Sequence, residues 1–205
     1  MMTITAAMVK ELRELTGAGM MECKQALVDA NGDHDRAVAL LRERGAAKAE
    51  KRMGRSAKEG RVEVYVHHDS KGAALIELNC ETDFVARTDD FKTLTADLAM
   101  HVYAAAPRFV KRDDVPEELS ARERELFHAQ GVADGKQGKA LDGFVEGQVR
   151  NFYEDNCLLD QVFVKDLAKP KKERRTIDQL VKEVSAKTGE NVVVGRFARL
   201  RVGEG

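Results

Sequence analysis

Near residue 60 the spacing of apolar side chains changes from about 3.6 residues to 2, and that change dictates a mixed α and β fold. Upstream, Met8, Val9, Leu12 and Leu15 share a helical face behind Thr5, a good capping residue. Gly17-Ala18-Gly19 interrupts this helix, because glycine reaches turn dihedrals at no steric cost. A second helix carries Met20, Cys23, Ala26 and Leu27 on its inner side. Asn31-Gly32-Asp33 closes it and opens a third: Gly32 suits the left-handed position past a helix end, and Asp33 suits an N-cap. The third helix offers Ala37, Val38, Leu40 and Leu41. Three short helices over residues 1–45 form a bundle with a small core, marginal alone and better suited to docking than to catalysis.

Downstream, Val62, Val64 and Val66 alternate with Glu63, Tyr65 and His67, which predicts a strand buried on its valine side. Asp69-Ser70-Lys71-Gly72 is a hairpin turn leading to a partner strand that buries Ala74, Ile76, Leu78 and Cys80. Phe91, Leu94, Leu98 and Val102 then mark an amphipathic helix that stops before Pro107. Leu119 and Leu126, then Leu141, Phe144, Val145 and Phe152, mark two antiparallel helices near 117–155, with their turn in Gly131–Lys139. A last helix uses Ile177, Leu180, Val181 and Val184, and Asn191–Val202 returns to strand character. The expected fold is α+β: an N-terminal three-helix bundle (1–45), a basic linker (46–60), and a core (61–205) with an antiparallel sheet of about three strands covered by helices.

Charge narrows the function. The chain has 34 basic and 35 acidic side chains, a net charge of −1, so no overall field holds a polyanion. Two local runs are basic: Arg42–Lys58, with seven basic residues against two acids, and Lys169–Arg175, with five against one. Each reads either as an RNA or phosphate contact or as a solvated helix extension or loop. No aromatic residue interleaves with the first run, so bases have nothing there to stack on. No apolar run approaches the ~18–20 residues of a membrane span. Met1-Met2-Thr3-Ile4-Thr5 lacks the pattern of a secretory leader. Three cysteines, at 23, 80 and 157, have no metal-type spacing and suit a reducing, cytoplasmic setting.

Motifs for catalysis are sparse. Phosphate-loop, dinucleotide, nucleophile-elbow and zinc-protease patterns are missing, and Gly17-Ala18-Gly19 follows a helix rather than a strand. His67 and His68, adjacent along a strand, are expected to point to opposite faces, which is poor for joint metal ligation. Cys80 and His101 form a conceivable thiol–histidine pair, against the plainer reading of Cys80 as a small core residue. Thr82-Asp83-Phe84-Val85 stands out, an aromatic among polar neighbours between a strand and a helix. Such a ring either folds into its own core or enters a partner's pocket, and the residues alone favour the inward anchor.

Leu12 to Leu27, with Thr16-Gly17-Ala18-Gly19-Met20-Met21-Glu22-Cys23 at its centre, and Ala30-Asn31-Gly32-Asp33 resemble the N-terminal signature of bacterial elongation factor Ts. Asn79-Cys80-Glu81-Thr82-Asp83-Phe84-Val85-Ala86 resembles its second block, and Ala99-Met100-His101-Val102 with Pro107-Arg108-Phe109 its third. Gly195-Arg196-Phe197 and Arg201-Val202-Gly203-Glu204-Gly205 resemble its closing strand. The resemblance implies a guanine-nucleotide exchange factor for the GTPase elongation factor Tu. It acts by binding, with no catalytic residues, cofactor or metal of its own, and with neither nucleic acid nor membrane as a direct partner. It also implies that the N-terminal module, similar to a ubiquitin-associated domain, docks on the GTPase through residues such as Leu12, Met20 and Met21. Thr82, Asp83, Phe84 and Val85 would disturb the partner's Mg²⁺ site, Phe84 as a wedge. Longer relatives carry two core halves and a coiled-coil insertion. Here the second block runs within one helix length into the third, which resembles the short, single-core form that works as a homodimer.

Overall fold

The computed structural model describes residues 4–204. Met1–Thr3, part of the leader reading, and Gly205, the end of the closing block, lie outside the described residues. The architecture is α+β, three helices followed by an antiparallel sheet of order β1-β2-β3 with helices. The chain divides into two compact units. One is Met1–Arg61, Leu78–Leu94 and Gln179–Val193, and the other is Val62–Glu77, Thr95–Asp178 and Val194–Gly205.

In the first unit, α1 (Ala6–Thr16) begins where the Thr5 hydroxyl accepts the Met8 N–H at 3.3 Å, and ends at Gly17, whose φ is 68°. α2 (Met20–Asp29) leads to Gly32 at φ 84° and to Asp33, whose carboxylate accepts the Arg36 N–H at 3.0 Å and opens α3 (His34–Glu50). Val9, Leu12, Cys23, Ala26, Leu27, Ala30, Ala37 and Leu41 close the core. Leu15 and Met20, expected inside, are 67% and 51% exposed. Both stand at helix ends beside the Gly17–Gly19 turn, where amphipathic spacing no longer guarantees cover.

The stretch expected as a basic linker is α3 as far as Glu50, a turn, and then β1 from Glu59. α3 touches α8 (Ile177–Thr188): a Cβ at Gly45 would stand a tight 3.1 Å from that of Ala186, and Arg52 donates to the Ser185 carbonyl at 3.2 Å. Lys187 of α8 lays its stem over Gly17 and pairs with Asp90 at 2.5 Å.

β1 (Glu59–Val66) and β2 (Gly72–Cys80) form the expected hairpin, closed by the His67 N–H donating to the Gly72 carbonyl at 2.9 Å. β3 (Val193–Arg201) pairs on the far side of β2. Ala74, Ile76, Leu78 and Cys80 are completely buried, as their alternation requires. The valines are the reverse of expectation: Val62, Val64 and Val66 are 51–61% exposed. Alternation shows which residues share a face, but not which face is covered. The register set at His67–Gly72 puts Val64 beside Leu75, on the face of β2 opposite its buried series. Leu200 and Val202 are exposed as well, and Arg196 pairs with Glu77 at 2.7 Å. Behind β1, Tyr103 of α5 (Asp89–Ala105) packs on Tyr65 and His67 with ring centroids 5.5 and 4.6 Å apart.

α6 (Glu117–Ala133) and α7 (Gly138–Asn156) form the helical hairpin. Gly131, expected in its turn, lies within α6 and is buried where a Cβ would run into Leu141 and Phe144. It serves close helix approach, and Asp134–Gln137 makes the turn.

Candidate functional site

β2 ends at Cys80, and the chain turns sharply through a four-residue helix, α4 (Asp83–Ala86), before α5. So short a helix is unstable alone. Thr82, extended at φ −130° and ψ 152°, caps it by accepting the Val85 N–H on its hydroxyl at 3.4 Å. Val85 and Ala86 are buried and root the turn, whereas the ring of Phe84 is 77% exposed. Of the two fates open to this aromatic, the inward one is excluded. Asp83 also faces outward, paired with Arg87 at 2.7 Å. Within the four-residue motif, Phe84 and Asp83 are therefore available to a visitor, while Thr82 and Val85 build the platform beneath them.

Two residues that the sequence reading passed over hold this corner. The Glu190 carboxylate accepts the N–H groups of Glu81 and Thr82, both at 3.0 Å, and the Thr82 hydroxyl at 2.6 Å. In return the Glu81 carboxylate accepts the Asn191 N–H at 2.7 Å, and Asn191 Nδ2 donates to the Arg55 carbonyl at 2.8 Å. Glu190 and Asn191 follow the glycine that ends α8, and no local pattern could have linked them to residues more than a hundred positions earlier.

Met20 and Met21, the latter 73% exposed, flank the α1–α2 turn with Leu15 and give the bundle an apolar display. Leu12 is completely buried in the bundle's own core. It shapes that surface from beneath and cannot itself touch a partner.

The rival readings lose their footing. Cys80 is buried and its Sγ donates to the Thr82 carbonyl at 3.1 Å. Burial, reinforced by the Glu190 carboxylate, pushes its thiol up to about 11, the wrong direction for a nucleophile. His101 has both ring nitrogens occupied: Nδ1 accepts the Val164 N–H at 3.3 Å and Nε2 lies 3.0 Å from Gln161 Oε1. Burial holds its imidazole below the ordinary value of 6.5. His67 and His68, expected to point apart, have ring centroids 4.3 Å apart because β1 ends before them.

The basic runs are largely engaged within the chain. Arg44 pairs with Asp29 at 2.5 Å, Lys48 with Glu22, Arg42 with Glu183 at 3.7 Å, and Arg55 with Glu81 at 3.6 Å. In the second run Lys169 and Arg175 converge on the buried Asp166 at 2.6 and 2.7 Å, and hold its carboxyl down at about 2. Among the described residues, no group of three or more His, Cys, Asp or Glu side chains is placed to hold a metal ion. No described helix is long and apolar enough to cross a membrane.

A family model described as Elongation factor TS matches residues 5–170. The chain is 49% identical to elongation factor Ts of Fervidobacterium nodosum over 203 residues, covering 99% of this chain and 100% of the relative. It is 50% identical to elongation factor Ts of Syntrophomonas wolfei over 202 residues, 98% of this chain and 92% of that one. Against elongation factor Ts of Moorella thermoacetica the identity is also 50% over 202 residues, 98% and 97% of the two chains. The family model takes in bundle, corner and the β1–β2 hairpin, the relatives cover nearly the whole chain, and the chain belongs to the elongation factor Ts family.

Proposed function

We propose that this chain is a guanine-nucleotide exchange factor for elongation factor Tu, promoting GDP release during translation elongation in the cytoplasm. Membership of the elongation factor Ts family supports the partner and the process. The observation that carries the mechanism is the ring of Phe84, 77% exposed on a capped and rooted turn. In this reading residues 1–45 dock on the GTPase with Met20 and Met21, and Phe84 and Asp83 enter near its Mg²⁺ site. Displacing the ion weakens the grip on GDP, because the cation neutralises the phosphate charge. A factor that binds the empty GTPase better than the GDP-bound form must lower GDP affinity by the same ratio. Such a device acts by differential binding alone.

The working form in this reading is a homodimer. Its support is the open sheet face, where Val62, Val64, Val66, Leu200 and Val202 are all more than half exposed. Neither nucleic acid nor membrane is a direct partner in this scheme.

Release of a fluorescent GDP from the GTPase tests the reading. Phe84→Ala should slow factor-stimulated release by about thirtyfold, the scale of losing an interface anchor. Its melting temperature should stay unchanged, because the ring covers little of its own core. A substituted factor that releases GDP as fast as the parent sinks the mechanism.

A further inference from the structure

Val85 and Ala86 root the corner from one side, and Glu190 holds it from the other. The corner's helix is four residues long, and the N–H groups of Glu81 and Thr82 emerge at the end of β2 facing away from α4's own bonds. One carboxylate accepts both, and it also accepts a hydrogen bond from the Thr82 hydroxyl at 2.6 Å. That last bond orients the cap: with its proton committed to Glu190, the hydroxyl turns a lone pair to the Val85 N–H and closes α4. The contacts run from Glu190 to the Thr82 hydroxyl and on to the cap of the helix that bears Phe84.

Bonds to an ionised acceptor are about twice as strong as neutral ones, and three converge here. Glu190 is itself seated: Ser185 Oγ donates to its carbonyl at 2.5 Å, and its neighbour Asn191 is tied to Glu81 and to the Arg55 carbonyl. The support is reciprocal, each acidic side chain taking a backbone N–H from the other strand of chain.

We propose that Glu190 is a positioning residue for nucleotide exchange, its carboxylate fixing the Thr82-capped turn so that Phe84 meets the GTPase already presented. This rests on the exchange-factor reading above. A ring presented in advance saves the ordering cost that a loose loop would meet on binding, so loss of Glu190 acts on exchange without touching the partner.

The intact 205-residue chain gives two independent measurements. It contains no tryptophan, so Phe84→Trp installs a single indole whose fluorescence anisotropy reports motion of the corner without any partner. Adding Glu190→Ala should lower that anisotropy, and Glu190→Gln should lower it less, because the amide oxygen still accepts a bond. In the GDP-release assay Glu190→Ala should slow stimulated release by about tenfold, the scale of a lost charge-assisted bond, with Glu190→Gln in between. In a Phe84→Ala background Glu190→Ala should add less than about twofold, as expected when one residue acts through another. A purely structural role predicts the same slowing in both backgrounds, and that result overturns the proposal. So does an unchanged indole anisotropy, or full exchange activity in Glu190→Ala. Should Glu190→Ala fail to fold, the near-isosteric Glu190→Gln supplies the same comparisons. If the parent chain leaves GDP release unaltered, the exchange reading falls and the proposal with it. A mobile indole together with intact exchange overturns the positioning role alone.

Discussion

Neighbours in this sequence do unlike work. Phe84 presents its ring to solvent while Val85, one position on, is buried and holds the turn down. Likewise Leu12 is interior and Met21 exterior on the same bundle. Leu12→Ala should lower stability by about 2–5 kcal/mol and loosen the bundle, read by thermal or urea melting. Met21→Ala should leave melting unchanged and raise the concentration of factor needed for half-maximal GDP release. Two buried titratable groups give separate acid responses. His101 is held neutral by burial, so the unfolded chain takes up its proton first. Stability from this group is complete above 6.5 and falls as pH drops below it, a slope that His101→Gln should remove in denaturant titrations. Asp166 is the opposite case, its carboxyl held at about 2 chiefly by the bond from Arg175. Its contribution, roughly 2–3 kcal/mol, is present above about 4 and is lost as pH falls through 2, and Asp166→Asn should abolish that acid limb.

The helices and strands were legible to different depths. Caps at Thr5 and Asp33, the Gly32 turn and the β1–β2 hairpin follow from local chemistry, and each stands where that chemistry puts it. Gly131 shows the limit, because a glycine read as a turn is equally a helix residue that admits a neighbour closely. Gly131→Val should therefore force Leu141 and Phe144 aside and cost about 1–3 kcal/mol. Hydrogen exchange should show faster opening confined to α6 and α7, which a turn glycine would not produce. The valine stripe of β1 shows a second limit: period 2 was plain, yet the choice of covered face belonged to β2. Within the candidate site, Phe84 was legible as an anomaly in sequence, whereas its outward direction, against the inward anchor the residues favoured, and its support at Glu190 were not. No short-range pattern encodes a bond between residues 82 and 190.

For the whole molecule, near-neutral net charge removes long-range repulsion between copies, and the open sheet face supplies apolar area for them to share. Val64→Glu with Leu200→Glu should shift sedimentation from dimer to monomer while leaving the monomer folded, since both side chains are already more than half exposed. A dimer that survives both substitutions excludes this face as the interface. The brace from Glu190 also has a temporal side. Phe84 leaves the ribosome long before Glu190 does, because about a hundred residues separate the two. A nascent polypeptide therefore carries the Thr82–Phe84 corner without its carboxylate brace until about a hundred further residues have been joined.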